Sequence, residues 1–328
     1  MKNNARIIPI ASGKGGVGKT MFAANLSIAL AELGYKTVVV DLDLGGSNLY
    51  TYLGLQNKYS GIGDYLKAGN VDFNELIVRT EIPNLSFLPG DGRTPFLADI
   101  HLDQRILLTK KIRDIQADYV ILDLAAGSHF NTLSFYGISN KGFAVTSIEI
   151  SSIMNFIMFL RNYIFRVISA AAGRSSKLMD MLIAEFNRPM RSEPLTVNYL
   201  LRKIAETDKA IAERIQKLLK NFRPRVIINM GEHPDELEVL KKVDSTIQKS
   251  LSVKADFFGF IFYDEYVRRS GKKREVLVKR YPDSIASKSI EHIAKRVVNI
   301  WDNSIVNSQE SLVEDTRKKY AAWMQMAN

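Results

Sequence analysis

The segment Gly13-Lys14-Gly15-Gly16-Val17-Gly18-Lys19-Thr20 is the most informative part of this chain. It fits the phosphate-binding pattern G-x-x-x-x-G-K-[ST], in which glycines let successive backbone N–H groups turn inward around phosphates. In this pattern Lys19 reaches the β- and γ-phosphates, and the Thr20 hydroxyl binds Mg²⁺. The apolar run 6–11 predicts a strand before the loop, and residues 21–30 predict a helix after it. Because a helix N-terminus favours anions, we predict a nucleotide site here.

Carboxylates end two further apolar runs. Asp41 and Asp43 close the run 37–43, and Asp123 closes the run 118–123. In an open parallel sheet, ligands bind outside the carboxyl ends of the strands, so these acids should gather beside the phosphate loop. Mg²⁺ takes few protein carboxylates and keeps several waters, which suits such a site.

A second lysine, Lys14, has no role in an ordinary phosphate loop. With it, residues 14–20 resemble the deviant Walker A motif K-G-G-x-G-K-[ST] of the MinD/ParA family of ATPases. The resemblance implies ATP and Mg²⁺ as cofactors and an ATP-dependent homodimer, in which Lys14 reaches across the interface to the nucleotide of the other subunit. It also implies nucleotide contacts from Gly13, Lys14, Gly15, Gly16, Val17, Gly18, Lys19, Thr20 and Met21.

The family's other motifs match further along the chain. By resemblance, Asp43 positions the attacking water, Asp41 assists by hydrogen bonding, and Asp123 holds Mg²⁺ through water. The implied catalytic residues are thus Lys14, Lys19 and Asp43, and the implied metal site is formed by Thr20, Asp43 and Asp123.

Two later positions also match the family. Asn229 ends the run 226–229, where these ATPases usually recognise adenine. The segment 258–265 resembles L-G-x-I-P-x-D, with Phe262 in place of the proline and Asp264 implied to contact the nucleotide.

These matches predict an α/β fold with a doubly wound, mostly parallel sheet flanked by helices, as in MinD/ParA-like P-loop NTPases. Pro9 should make a local irregularity in the first strand, because proline removes a ladder donor. We expect one ATPase domain over residues 1–300, including a helical insertion at about 170–223, and an amphipathic tail helix within 301–328. Within the insertion, a helical period starts near residue 197, whereas 173–194 is expected to be a loop with one or two helical turns. We assign the insertion to a protein partner, with scaffold elaboration as the alternative.

Composition limits the function further. The 328 residues include no cysteine, which excludes disulfides and thiolate metal sites, so Mg²⁺ with the nucleotide is the metal we expect. The net charge of +10 permits DNA, anionic lipid or an acidic partner. The basic clusters 268–274 and 223–225 would suit DNA, with a solvated basic face as the alternative. No N-terminal segment resembles a signal peptide, so we expect a cytoplasmic protein.

Two apolar segments raise the question of a membrane. Residues 153–168 contain Arg161 and Arg166, which argues against a transmembrane span, so the inserted segment or a partner should cover this helix. Apolar residues recur at helical spacing near the C-terminus, at Leu312, Val313, Thr316, Tyr320, Trp323 and Met324. Acids on the polar face favour packing against the domain, with peripheral attachment to the inner face of the cell membrane as the alternative.

The function that these observations favour is an ATP-driven dimerisation switch in spatial regulation. The segments 123–128 and 281–297 resemble FlhG-type MinD-like ATPases, which regulate flagellar number and placement. The alternatives are a ParA-like partition ATPase that binds non-specific DNA, and an ATP-dependent amide synthase or ligase on the same fold. Lys14 argues against the last, because those enzymes lack that lysine.

Overall fold

One sheet organises the part of the chain that the computed structural model describes, which is residues 5–68, 72–90, 100–173, 175–187 and 195–327. Its strands, within those ranges, are β1 (Arg6–Ser12), β2 (Thr37–Leu42), β3 (Val78–Arg79), β4 (Leu85–Leu88), β5 (Tyr119–Ala126), β6 (Phe143–Thr146), β7 (Arg225–Gly231) and β8 (Asp256–Phe262). Their order is β3-β4-β2-β5-β1-β6-β7-β8, and all neighbours are parallel except β3 and β4.

Helices cover both faces of this sheet. Those in the described ranges are α1 (Lys19–Glu32), α2 (Leu49–Tyr52), α3 (Ile62–Ala68), α4 (Leu102–Arg113), α5 (Phe130–Tyr136), α6 (Ile150–Ala172), α7 (Ser176–Phe186), α8 (Val197–Thr207), α9 (Lys209–Asn221), α10 (Leu240–Leu251), α11 (Glu265–Lys273), α12 (Leu277–Arg280), α13 (Ile285–Ile300) and α14 (Ser308–Ala327). Short 3₁₀ helices span Phe73–Leu76 and Pro234–Val239.

The central strands are apolar throughout because both of their faces are buried. In β2, Val38 and Val40 belong to the core on the side of α5, α6 and α10, whereas Val39 belongs to the core on the side of α1 and α13. This alternation follows from the two-residue period of a strand. The predicted doubly wound α/β fold is confirmed.

Pro9 lies in the central strand β1, and the sheet accommodates it. β6 pairs with β1 only at Ile10 and Ala11, so Pro9 lies just outside that ladder. The β1–β5 register also shifts between Ile10 and Ser12. The predicted irregularity in β1 is therefore present, although the register shifts just after the proline.

The apolar helix α6 is covered by the inserted segment, which was the first of the two alternatives. α6 contacts α7, α9 and α10 as well as β6. By length and composition it could cross a membrane, yet Phe159, Leu160 and Ile164 are fully buried within the protein. A core helix passes the same test, so packing explains the apolar character of its buried face. Ile150, Met154 and Met158 on the same helix are exposed.

The early part of the insertion differs from the prediction. The sequence suggested a loop with one or two helical turns over 173–194, but α7 is an 11-residue helix whose first turn is capped by the Ser175 hydroxyl. Its buried residues Leu178 and Leu182 are four apart on one face, and this tertiary packing stabilises three turns. Residues 188–194 lie outside the described part of the chain.

The tail helix α14 packs against the domain. It contacts β8 and the 3₁₀ helix Pro234–Val239, and its own residues Leu312 and Thr316 are buried. The Tyr320 ring stacks on Phe262 with a centroid distance of 5.5 Å. The favoured interpretation of the apolar stripe, packing against the domain, agrees with the positions of Leu312, Thr316 and Tyr320, whereas Trp323 and Met324 are exposed.

Candidate nucleotide site

The phosphate loop connects β1 to α1, and its shape depends on glycine. Gly16 and Gly18 both have φ of +82°, where other residues are strained. A Cβ at Gly18 would collide with the side-chain amide of Asn229, and one at Gly13 would collide with the backbone of Asn155. The loop is therefore held between β7 and α6 in a form that requires glycine.

A buried ion pair lies under the loop. The Nζ of Lys19 lies 2.6 Å from Oδ1 of Asp123 and donates to the Thr20 hydroxyl at 3.3 Å. The two charged side chains are only 7% and 1% exposed. Burial raises the pKa of Asp123 above its ordinary value, although the charge of Lys19 opposes this. The structure thus brings together three of the groups predicted to hold the phosphates and Mg²⁺.

The donor set fits a magnesium ion. Oδ2 of Asp123 is buried and has no hydrogen-bond partner within the described ranges. Such orphaned acceptors are uncommon, and a cation shared with the Thr20 hydroxyl would satisfy this one. No cluster of three or more His, Cys, Asp or Glu side chains suited to a metal occurs among the residues described. Mg²⁺ needs no such cluster, because it is bound through one or two carboxylates, phosphates and water.

Asp41 is the second buried carboxylate, and it lies opposite Asp123 in the β2–β5 register. It accepts hydrogen bonds from the Ser47 hydroxyl at 2.6 Å and from the backbone N–H groups of Asp43 and Leu49 at 3.1 and 3.2 Å. Burial raises the pKa of Asp41 to about 7, and the charge of Asp123 adds to the shift. The carboxyl group therefore ties the loop after β2 to the floor of the site.

Asp43 follows the end of β2 and is half-buried. Its carboxylate makes no hydrogen bond with another residue in the described part of the protein. Burial is the main cause of the raised pKa of Asp123, and the charge of Asp43 adds to it. Asp43 is therefore within electrostatic range of the proposed metal position.

Lys14 turns away from the loop and toward the start of α6. Its Nζ donates to the Ser151 hydroxyl at 3.0 Å and lies 3.3 Å from the Glu149 carboxylate. The adjacent Ile150 is 82% exposed, and Met154 one turn further along is also exposed. Within one chain, Lys14 thus lies beside an apolar surface that faces solvent.

Asn229 and Asp264 both have partners inside the protein. The Asn229 amide is buried and donates to the Val17 carbonyl at 2.8 Å, which fastens the loop to β7. The Asp264 carboxylate accepts from the N–H groups of Tyr266 at 2.9 Å and Ala286 at 3.1 Å, and so caps α11 and orders the start of α13. Their contact with a nucleotide stays a prediction.

Sequence reasoning missed the residues that position the site's charged groups. Ser47 lies six residues after Asp41 in no recognisable pattern, and Glu149 and Ser151 follow an ordinary apolar run. The side chain of Met21, which the resemblance placed in the site, packs in the core on the α1 side. A nucleotide would therefore meet Met21 through its backbone.

Comparison with known proteins agrees with this geometry. Residues 8–278 match the model of the CobQ/CobB/MinD/ParA nucleotide binding domain. The chain is 25% identical over 295 residues to the antiactivator FleN of Pseudomonas aeruginosa, covering 89% of this chain and 86% of FleN. It is 28% identical over 302 residues to the flagellum site-determining protein YlxH of Helicobacter pylori, covering 91% and 83% respectively. The resemblance to FlhG-type proteins is therefore confirmed.

Other relatives align over a smaller part. The putative septum site-determining protein MinD of Guillardia theta is 33% identical over 150 residues, so the match spans 45% of this chain and 55% of that protein. Among solved structures, MinD from Pyrococcus horikoshii complexed with Mg-ADP superposes with a TM-score of 0.58 at 21% identity, covering 91% of this chain and 98% of that one. That likeness shows the fold alone. Because the family model covers most of its length, the chain belongs to the CobQ/CobB/MinD/ParA nucleotide-binding family.

Proposed function

We propose that this protein is an ATPase whose Mg·ATP-bound form is a homodimer, and that hydrolysis to ADP and phosphate releases the two subunits. The observation that carries the proposal is the position of Lys14. Lys14 belongs to the phosphate loop, and its side chain lies at an exposed apolar edge formed by Ile150 and Met154, where a second subunit could meet it.

Each residue of the site in one chain has a separate proposed role. Lys19 and the loop's backbone N–H groups would hold the phosphates, and Thr20 and Asp123 would hold Mg²⁺. When bound, Mg²⁺ neutralises negative charge on the phosphates. Asp43 would orient the attacking water, while Asp41 holds the loop that carries Asp43. Such sites act by positioning and electrostatics, so turnover should be slow until a partner completes the site.

Dimer formation would require Lys14 to exchange its own-chain partners for the nucleotide of the other subunit. Its ion pair with Glu149 is solvent-exposed, with side-chain exposures of 41% and 68%. Exposed pairs contribute about 0–1 kcal/mol, so releasing Lys14 costs little. The ion pair therefore does not prevent the proposed crossing.

The test is the molar mass in solution, measured by light scattering with Mg·ADP and with Mg·ATP. Asp43→Ala should accumulate an ATP-dependent dimer, because hydrolysis is blocked. Lys14→Ala in the same background should stay monomeric, whereas Lys36→Ala, which changes an exposed lysine before β2, should still dimerise. A mass that does not change with ATP, or a dimer that persists without Lys14, would contradict the switch.

The proposed process is spatial regulation, specifically of flagellar number or placement. The names of FleN and YlxH, an antiactivator and a flagellum site-determining protein, support this for proteins aligned over most of the chain. We further propose a single ATPase domain over 1–300, in which the insertion binds a protein partner. Exposed apolar side chains on α7 and α9, Ile183, Phe186 and Leu218, support that role.

A second candidate partner of the dimer is non-specific DNA. Exposed cations of the cluster 268–274 have no carboxylate within 4 Å among the described residues, which leaves them open to phosphates. ATP-dependent binding to unrelated duplexes that weakens steeply with salt would favour DNA. ATP-dependent sedimentation with anionic vesicles, lost on removing α14, would favour peripheral attachment of a cytoplasmic protein to the membrane.

A further inference from the structure

A large cavity lies between β8, α13 and the tail helix α14. Its volume is about 660 Å³, within the range of small-molecule pockets. None of the residues 13–21 lines it. Its floor and walls are mainly apolar, and include Phe258, Phe260, Phe262, Ile285, Ile293 and Trp323. An elongated apolar group would be removed from water in this cavity.

The rim of the cavity carries an excess of positive charge. Lys288, Arg296 and Lys319 face two carboxylates, Asp283 and Asp315. Asp315 is shared by Lys319 at 2.8 Å and Arg296 at 3.4 Å, while Lys288 lies 3.1 Å from Asp283. Three cations with two anions leave one positive charge, which favours an anionic ligand.

Two buried nitrogen atoms of cavity-lining residues have no hydrogen-bond partner within the described ranges: Nε of Arg296 and Nε2 of His292. The latter lies 3.2 Å from Oδ2 of Asp315 without the alignment of a hydrogen bond. Burial lowers the pKa of His292 below its ordinary value, so the imidazole is neutral near pH 7. Because both of these nitrogen atoms are inaccessible to solvent, an anionic ligand would meet Arg296 through the rest of its side chain, which is 13% exposed.

We propose that this cavity binds a single-chain amphiphile with an anionic head group, either a carboxylate or a phosphate. The alkyl chain lies on the aromatic floor against β8 and α13, and the head group meets Arg296 and the lysines at the rim. The ligand lies against α14, so its binding would hold the tail helix to the domain. This site is independent of the proposed nucleotide switch.

The test is calorimetric titration of the nucleotide-free protein with straight-chain alkanoates of 8 to 14 carbons, each below its micelle concentration. Affinity should rise about fourfold per methylene until the chain fills the cavity, because each buried methylene favours binding to that extent. The alcohol of equal length should bind about tenfold more weakly, because it lacks the charged head group.

Neighbouring alanines on α14 provide matched variants. Ala322 lines the cavity, whereas Ala321 does not. Ala322→Phe should abolish binding and Ala321→Phe should retain it, with the melting temperature of each variant reporting whether the fold is intact. Arg296→Gln should bring the acid and the alcohol to equal affinity. A general loss of structure would weaken the binding of both and would not remove the preference for the acid.

Several results would overturn the proposal. They are the absence of saturable heat for every chain length, unchanged affinity in a folded Ala322→Phe, or unchanged preference for the acid in Arg296→Gln. Binding to anionic phospholipid vesicles without binding to monomeric alkanoate would also overturn it, since the contact would then belong to a bilayer surface. Alkyl phosphates in place of alkanoates distinguish the two head groups.

Discussion

Replacing Lys19 by alanine should destabilise the nucleotide-free protein as well as remove ATP binding. The Lys19–Asp123 pair is 2.6 Å long, and the side chains are 7% and 1% exposed. Removing one partner of a buried pair leaves an uncompensated charge, which costs about 3–5 kcal/mol. Protonation of Asp123 removes part of this cost, so the loss of stability should depend on pH.

The sign of that dependence follows from linkage. Without Lys19 the pKa of Asp123 rises further above its unfolded value, so the native state binds a proton that the unfolded state does not. Stability relative to wild type then falls as pH rises toward the native pKa, by about 1.4 kcal/mol per pH unit. The loss of stability should therefore be larger at pH 8 than at pH 6.

The assay is urea unfolding of the nucleotide-free protein at pH 6, 7 and 8, with wild type measured at each pH. Lys279→Ala is the matched control, because the Lys279–Glu32 pair is also 2.6 Å long but its side chains are 47% and 41% exposed. That change should cost about 0–1 kcal/mol with no trend in pH.

A double variant separates structure from binding. Lys19→Ala with Asp123→Asn removes both charges, so it should recover most of the lost stability and still fail to bind ATP. A loss below about 1 kcal/mol for Lys19→Ala, equal at the three pH values, would refute the reasoning. A double variant no more stable than the single one would do the same.

Three further predictions follow from the site and the tail helix. Burial raises the pKa of Asp41 to about 7 from an ordinary value of 3.8, so ionisation of Asp41 lowers the stability of the protein as pH rises between these values. Asp41→Asn should therefore reduce the change in melting temperature between pH 5 and pH 7. A pH dependence of the melting temperature equal to that of wild type would count against the pKa shift. Gly18→Ala should lower the melting temperature by the equivalent of at least about 1 kcal/mol because φ is +82°, whereas Gly15→Ala, where a Cβ meets nothing within 4 Å, should not; equal melting temperatures would contradict the strain. Leu312→Ala should weaken docking of α14 by about 2–5 kcal/mol and speed its hydrogen exchange, while Met324→Ala, at an exposed position, should leave the exchange rate as it is; slow exchange in both would mean that Leu312 does not hold the helix.

Much of the nucleotide site could be read along the chain, because each part is a short local pattern. Residues 13–20 form a single loop, and Asp41 and Asp123 each end an apolar strand. Parallel strands bring their carboxyl ends to one edge, so the meeting of these groups followed from the fold class. Their actual partners did not follow: Lys19 and Asp123 are 104 residues apart, and Ser47 has no motif to mark it.

The helical regions beyond the core were harder to predict. α7 has three turns because its apolar side chains are buried against the inserted helices and α6, a contact that no local periodicity reveals. The amphipathic stripe of α14 is equally suited to a membrane or to a protein surface, and the contacts of Leu312 and Tyr320 with the domain distinguish the two in this structure. An amphipathic pattern specifies that one face is buried, not what buries it.

The phosphate loop, the doubly wound sheet and the family could be inferred from the amino-acid sequence alone. These depend on backbone geometry that glycines encode locally and on strand periodicity. The folded arrangement was needed to show that Lys14 pairs with Glu149, that Asp41 accepts a hydrogen bond from Ser47, and that α14 encloses a cavity against β8 and α13. Those features come from contacts between segments far apart in the chain. The energies of these contacts depend on burial and on interatomic distance, and neither can be read from one segment of sequence.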